Sequence, residues 1–411
     1  MQQQIHSDPL AESLQEFFHS FRPEKFTSQD HKALPLVRNH HVLLPPEILD
    51  LIVGYLCDYP AALKTCCLVS KPWVPRTRKY LFAHVDFDAG RFTIRSWVKA
   101  FPDPSNSPGH HTRDLRIYGP LPEENTWIHS FHNVEKLSVY ALAWGTRETS
   151  LIVLHGLSPT LKSFYLIHSS IPSSKIFNLI CSFPLLEDLM IRRKEAESKS
   201  NEWVAPSTSP KLTGALYLVE EIRSTALPLL ALPDGLHFTK IMLTCTVGDA
   251  GLVMDLVSRC SETLEFLCID YRPSSPFPSP LEVCSTLTFG SLASLKTPPP
   301  LDLSQVARLR DVEICFAQSS VQWIVTTLRT ANTKHLRQIT IFPSVSLNKV
   351  QEVDLRGWQS LDHLLVQLWT SHSIIPKIKT KYTKTPERVD VGEVAPTLFP
   401  ELVKRGVTCE A

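Results

Sequence analysis

A hydrophobic triplet of the form apolar-x-x-apolar-x-apolar returns along most of this chain at nearly constant spacing, and that recurrence restricts the fold more than any other feature. It stands at Val134/Leu137/Val139, Leu161/Phe164/Leu166, Leu186/Leu189/Ile191, Leu212/Ala215/Tyr217, Phe238/Ile241/Leu243 and Leu264/Leu267/Ile269. It continues at Leu309/Val312/Ile314, Leu336/Ile339/Ile341 and Leu361/Leu364/Val366. Weaker copies lie at Leu115 and Ile117, with Thr112 in the first position, and at Cys284/Leu287/Phe289. With the middle residues as anchors, separations run from 20 residues (Leu267 to Leu287) to 27 (Leu137 to Phe164). The closing two-residue alternation suits a strand with one buried face. Helical periodicity fills several intervals, at 149–155, 174–182, 250–260 and 320–330. In the third of these Leu252, Leu256 and Val257 share a face; in the fourth, Trp323, Val325 and Leu328 carry the apolar positions. A helix–strand unit of this size cannot bury its apolar side alone. The units are therefore expected to stack into a curved α/β solenoid with a parallel sheet inside the curve.

Ahead of the repeats, residues 44–82 read differently. Leu44-Pro45-Pro46-Glu47 opens a helix: proline at the first position loses no hydrogen bond, and Glu47 meets the positive end of the helix dipole. Ile48, Ile52 and Tyr55 or Leu56 follow at helical spacing, and Leu49, Leu51 and Val53 widen the apolar surface. Pro60 opens a second short helix with Leu63, Cys66, Cys67 and Val69, and Ser70-Lys71-Pro72 ends it. Trp73, Thr77, Tyr80 and Leu81 lie along a third, with Pro75 tolerated in its first turn. Helices this short are marginal alone, and so few residues cannot bury this much apolar side chain among themselves. The surplus predicts a partner: the next domain, another protein, or both.

The opening LPPEIL, the apolar spacing through Leu56, then Leu63, Leu68-Val69-Ser70-Lys71 and Trp73 resemble the F-box, the module that attaches substrate receptors to the Skp-type adaptor of cullin–RING ubiquitin ligases. The resemblance covers roughly a tenth of the chain and rests on several spaced positions, which makes it more specific than a lone short motif. It implies that Leu44, Pro45, Pro46, Ile48, Leu49, Ile52, Leu63, Leu68, Val69 and Trp73 face the adaptor. The repeats resemble the irregular leucine-rich-repeat domains that follow the F-box in many receptors, numerous fungal ones among them. The asparagine or cysteine that regular repeats carry after the strand is mostly absent, as at Ile191-Arg192-Arg193. The chain then divides into a polar extension (1–40), the F-box-like module (41–84), a connector (85–111), the repeat array (112–370) and a C-terminal cap and tail (371–411). The connector carries a candidate strand around Val85 and Phe87 and a helix holding Phe92, Ser96, Val98 and Lys99. In the extension Leu10, Leu14, Phe17, Phe18 and Phe21 read as one short amphipathic helix, either docked on the protein or loose.

Serine- and proline-rich insertions at 194–211 and 271–284, and a rigid KTPPPLD connector at 296–302, read as surface loops, and loops on a rigid scaffold commonly carry recognition. Trp203 sits in the first of them and is the one candidate for substrate contact, the alternative being that it folds back over the repeats. Leu398, Leu402 and Val403 are placed to cap the last repeat.

Composition narrows the chemistry. Lys and Arg total 42 against 41 Asp and Glu, a net charge of +1, so neither nucleic acid nor an anionic membrane is expected as a partner. Apolar residues make up 43% and charged ones 20%, as in a folded protein with a sizeable core. No apolar run reaches the eighteen or so residues of a membrane span, and the N-terminal stretch lacks the basic-then-apolar order of a signal peptide. The ten cysteines form no CxxC pair and no asparagine opens a glycosylation acceptor, so a cytoplasmic or nuclear location with reduced thiols is expected. No Walker or dinucleotide glycine motif, no HExxH and no GxSxG elbow is present, and thiols such as Cys66 and Cys67 on an apolar helix face are usually inert. The resemblance and this absence together lead us to expect a non-catalytic, cofactor-free and metal-free substrate receptor of an SCF-type ligase, holding the Skp adaptor with the module, a cullin–RING ligase through it, and a protein substrate with the repeats. The alternatives are a ligase-independent scaffold and an enzyme with an unrecognised site in the α/β region.

Overall fold

The computed structural model describes residues 45–69, 71–88, 93–119, 121, 126–140, 151, 153–157, 159–169, 171–193, 205–220, 222–271, 300–317, 321–344, 355–379, 396–407 and 409–410. The chain forms two units, residues 1–161 and 162–411.

In the first unit the proline signals place three helices where the sequence puts them: α1 (Pro46–Tyr55), α2 (Pro60–Val69) and α3 (Trp73–Leu81). Strand β1 (His84–Phe87) follows, then α4 (Ile94–Ala100), whose start is capped by Thr93 Oγ1 accepting the Ser96 amide at 3.1 Å. Strands β2 (Asp114–Tyr118) and β3 (Lys136–Tyr140) complete a parallel sheet, with Val85, Leu115 and Leu137 in register. The segment expected as a connector thus carries sheet structure, because β1 pairs with β2 along its whole length. Behind the sheet is an aromatic cluster in which Trp97 meets Phe82, Phe87, Phe101 and Phe131 with ring centroids 4.8–6.0 Å apart.

The second unit runs β4 (Ser163–Ser169), α5 (Ser173–Cys181), β5 (Asp188–Arg193), β6 (Ala215–Glu220), α6 (Arg223–Leu230), β7 (Lys240–Cys245), α7 (Ala250–Arg259) and β8 (Phe266–Tyr271). It continues with β9 (Asp311–Ala317), α8 (Val321–Thr330), β10 (Gln338–Ser344), α9 (Leu355–His372), β11 (Ile375–Lys379), α10 (Pro400–Lys404) and β12 (Cys409–Glu410). Each strand hydrogen-bonds in parallel to the next one in the chain, from β4 to β12. Register lines up Phe164, Leu189, Leu216, Ile241, Leu267, Val312, Ile339 and Pro376 as one continuous buried row. The architecture is α/β with an open parallel sheet.

A backbone device repeats with the rungs. Just before several strands, one carbonyl accepts two consecutive amides from the next rung: Lys162 O from Glu187 and Asp188, Gly214 O from Thr239 and Lys240, and Thr239 O from Glu265 and Phe266. Glu265 O and Arg310 O do the same further on, and Ala83 O and Arg113 O in the first unit. At these rungs the carbonyl satisfies two strand-start amides of its neighbour.

Three features differ from the sequence expectation. The fourth strong triplet is out of step: the buried register row takes Leu216, with Leu218 two residues on, in place of Ala215 and Tyr217, although the small Ala215 side chain is itself buried. Leu216 follows Leu212 by four positions where the other triplets have an offset of three, and a one-residue slip exchanges the faces of a strand. The extra residue is absorbed at Gly214, where a side chain would collide with the Asp188 carboxylate. Here Glu187 O receives only the Gly214 amide, and Asp188 Oδ1 takes the second, from Ala215, at 2.7 Å. Second, Leu361/Leu364/Val366 is no strand but part of the 18-residue α9, in which Leu361, Leu364, Leu365 and Leu368 recur at helical spacing and are buried. The strand of that rung is β11, and Ile378 stands opposite Ile341. Third, the sequence pattern missed α6, because Pro228 lies inside it. The copy at Cys284/Leu287/Phe289 lies outside the described residues, and β8 hydrogen-bonds directly to β9.

The C-terminal segment closes the second unit. Leu398, Phe399 and Leu402 are buried, and the Asp362 carboxylate, almost wholly enclosed, accepts the Glu401 and Leu402 amides at 2.8 and 3.1 Å. Burial pushes the Asp362 carboxyl above its ordinary range despite those two donors. β12 pairs with β11 at Ile378 and Lys379 and covers that part of its edge. Among the described residues no helix is long and apolar enough to cross a membrane.

Candidate functional site

The helical module is held together from inside by few residues. α3 is its centre: both α1 and α2 pack against it. Leu49 and Val53, one turn apart on α1, and Leu63 on α2 are buried. Thr77 on α3 is fully enclosed and donates its hydroxyl proton to a carbonyl of the preceding turn (Trp73 O at 2.9 Å), while Cys67 Sγ lies 2.8 Å from Thr77 Oγ1. That pairing leaves the buried hydroxyl satisfied. Asp50 and Arg76 clamp α1 to α3 as an ion pair at 2.7 Å.

These inward residues leave another side of α1 apolar and uncovered. Ile48, Leu51, Ile52 and Tyr55 stand at i, i+3, i+4 and i+7, the spacing that gathers side chains on one helical face. Ile48 is 42%, Leu51 59% and Tyr55 83% exposed, and Ile52 is half-buried. Tyr59 beyond α1 and Leu68 on α2, at 63% and 78%, add to the uncovered apolar surface. Single exposed apolar residues are ordinary on a protein surface, and several at helical spacing on one side make this side of α1 a candidate interaction face.

The residues expected to face an adaptor separate accordingly. Pro45, Pro46, Ile48 and Leu68 are exposed, and Ile52 and Trp73 are half-buried. Leu49 and Leu63, expected in the same set, are buried within the module's own core, where α1 and α2 pack on α3. Leu44, the Val69 side chain and Trp203 lie outside what the structure describes. Tyr55, or Leu56 in its place, was expected at helical spacing from Ile48 and Ile52, whereas Leu51 was legible only as part of a wider apolar surface; its i+3 spacing from Ile48 is the signal that singles it out.

Next to α3, His111 packs its ring against His110 with centroids 3.9 Å apart. Burial, then the charges of His110, Arg78, Lys79 and Arg113, hold its pKa below the ordinary histidine value. The sign follows from linkage: the unfolded chain takes up this proton at higher pH than the folded one, so stability is complete above the unfolded value of about 6.5 and falls as pH drops below it. Burial lowers His155 in the same sense. The melting temperature measured by calorimetry is accordingly expected to fall between pH 7.5 and 5.5, and to fall less in His111→Gln.

In the second unit the solvent side of the sheet carries a second apolar feature. Tyr165, Met190, Tyr217 and Met242 occupy one register row across β4 to β7, all half-buried, with the two tyrosine rings 6.5 Å apart edge to face. Flexible, polarizable methionines between aromatic rings form an adaptable contact surface. The row runs on through Cys268 to Glu313, whose carboxyl is pushed up by burial. Burial holds thiols of this unit protonated: the half-buried Cys181 and the buried Cys260 are pushed up to about 11 and the buried Cys245 to about 12. Such thiols pack as small apolar groups rather than as nucleophiles. No protein-family model matches the sequence, and no curated protein matches it.

Proposed function

We propose that this chain is the substrate-recognition subunit of an SCF-type ubiquitin ligase. In this reading α1–α3 are an F-box that binds a Skp-type adaptor, and through it a cullin–RING ligase. The parallel sheet with its repeating strand-start hydrogen bonds is a leucine-rich-repeat-type solenoid that holds a protein substrate. The observation that carries the reading is the uncovered stripe of Ile48, Leu51, Ile52 and Tyr55 on a helical module whose sequence has the F-box pattern. A chain in this role forms no bonds itself. It raises the effective concentration of a substrate lysine beside the conjugating enzyme, a contribution of positioning alone. The Tyr165–Met190–Tyr217–Met242 row is the surface on which substrate contact is placed, and the protein works in the cytoplasm, the nucleus or both.

Affinity purification of the tagged full chain from cells tests this. Both the Skp-type adaptor and a cullin are expected to co-purify, and both are expected to be lost with Pro46→Ala/Ile48→Asp/Leu51→Asp. Adaptor without cullin would instead make the chain a ligase-independent scaffold. Equal recovery from wild type and variant refutes the docking face.

A further inference from the structure

We propose that the protein segment held on the second unit's sheet carries its charges in a fixed order: apolar side chains over β4–β7, a lysine or arginine over β8–β9, and an aspartate or glutamate over β11. The order is written in the strand register. The Tyr165–Met190–Tyr217–Met242 row passes next through Cys268 on β8, Glu313 on β9, Thr340 on β10 and Lys377 on β11. Over β4–β7 the row itself is uncharged, and the charges flanking it there, Asp188, Arg192 and Lys240, are mixed in sign. Beyond it the signs separate. β8 and β9 carry three carboxylates, Asp270, Asp311 and Glu313, and no base. β10 has no charged residue, and β11 has Lys377 and Lys379 and no acid. All five of these side chains alternate with the buried row and are half-buried, so they share the face of the tyrosines and methionines.

Strand spacing sets the distances a ligand must match. Neighbouring strands lie about 4.8 Å apart, so Glu313 stands roughly 10 Å beyond Met242, and Lys377 roughly 10 Å beyond Glu313. The acidic block is also where the sheet's own charges compensate least. Burial pushes the Glu313 carboxyl up against the opposing charge of Lys379, and Asp311 adds to the rise. A cation brought by the ligand favours the ionised carboxylate, and a ligand with the opposite order meets like charge at both blocks. Binding to the sheet rests on this charge order alone; calling the segment a substrate rests on the proposed function.

The probe is a displayed library of random segments of about 24 residues, long enough to cross the row even as helices, sorted against the purified full chain. Wild type is expected to enrich an apolar stretch followed by Lys or Arg and then by Asp or Glu. An enriched segment is then compared with a copy in which each Lys or Arg is exchanged for Glu. Wild type is expected to bind the copy roughly tenfold more weakly, and Met190→Asp to weaken the original by a similar factor. Glu313→Lys is expected to reverse the preference, a gain for one ligand that a misfolded variant cannot give. Glu313→Gln, of nearly the same shape, is expected to bring the two ligands within a few-fold of each other, which tests the charge without a new one. The enriched segment is finally fused to a reporter and co-expressed with the chain. Binding without loss of the reporter sustains the charge order and removes the ligase reading. Enrichment without the charge order overturns the inference. So does a preference unchanged in both Glu313 variants, or undiminished binding to Met190→Asp.

Discussion

Leu51→Asp combined with Tyr55→Asp is expected to abolish adaptor capture while leaving the melting temperature within a degree or two of wild type. Both side chains point away from α2 and α3 and are mostly exposed, and exposed substitutions of this kind usually change stability by less than about 0.5 kcal/mol. Inside an apolar interface the same two carboxylates would be stripped of water without a partner, a cost of several kcal/mol each before any rearrangement. Even at hot-spot magnitudes of about 2 kcal/mol each, the pair amounts to roughly a thousandfold in Kd. Leu63→Ala provides the contrast. That side chain is enclosed between the helices, so its truncation is expected to cost about 2–5 kcal/mol and to lower the melting temperature. Titration calorimetry with the purified adaptor, alongside thermal denaturation, separates the two. Undiminished adaptor affinity in the aspartate pair rules out this face, and a large loss of stability in that pair would mean that the stripe is already packed against the chain.

The outcome for α1 shows what a sequence of this kind can and cannot carry. Prolines 45, 46 and 60 marked helix starts, and Pro72 the break before α3, because their effect is local and nearly independent of packing. Which apolar edge of α1 turns inward was not legible. Ile48 and Leu49 are equally apolar neighbours, and only the position of α3 assigns Leu49 and Val53 to the interior. In the sheet the two-residue alternation located most strands directly, since one buried face is all that the pattern records. It failed where a different feature dominated. The extra residue before β6 is tolerated because Asp188 supplies a side-chain acceptor in place of a backbone one, and no hydrophobic pattern encodes that exchange. The leucines of α9 satisfy both the triplet and a helical period, and the longer run of helical spacing over 18 residues prevails. The paired strand-start amides depend on backbone carbonyls, which leave no trace in residue identity.

Trp97→Ala is the second large effect, and it reaches the candidate site from behind. The indole is almost completely buried and contacts four aromatic rings: Phe101 at 4.8 Å, Phe131 at 5.0 Å, Phe87 at 5.8 Å and Phe82 at 6.0 Å. Removing it deletes a large buried surface together with edge and tilted ring contacts worth about 0.5–1.5 kcal/mol each. Substitutions of this size cost about 3–5 kcal/mol, a large share of the 5–15 kcal/mol that holds a typical domain. The loss falls on the module's foot. Phe82 follows directly on α3, and Ala83 O holds the Arg113 and Asp114 amides that begin β2. A cavity under Phe82 therefore frees the end of α3 and, with it, the helix on which α1 rests. Denaturant unfolding of the full chain, followed by hydrogen exchange, is expected to show a new early transition confined to residues 45–161. Adaptor binding should weaken as that transition is approached on heating and recover on cooling, a temperature dependence that Leu51→Asp/Tyr55→Asp would not show. Trp97→Phe, which keeps an aromatic ring in the cluster, should recover more than half of the loss. A shift below about 1 kcal/mol for Trp97→Ala would mean that the aromatic cluster fills space without anchoring the helices.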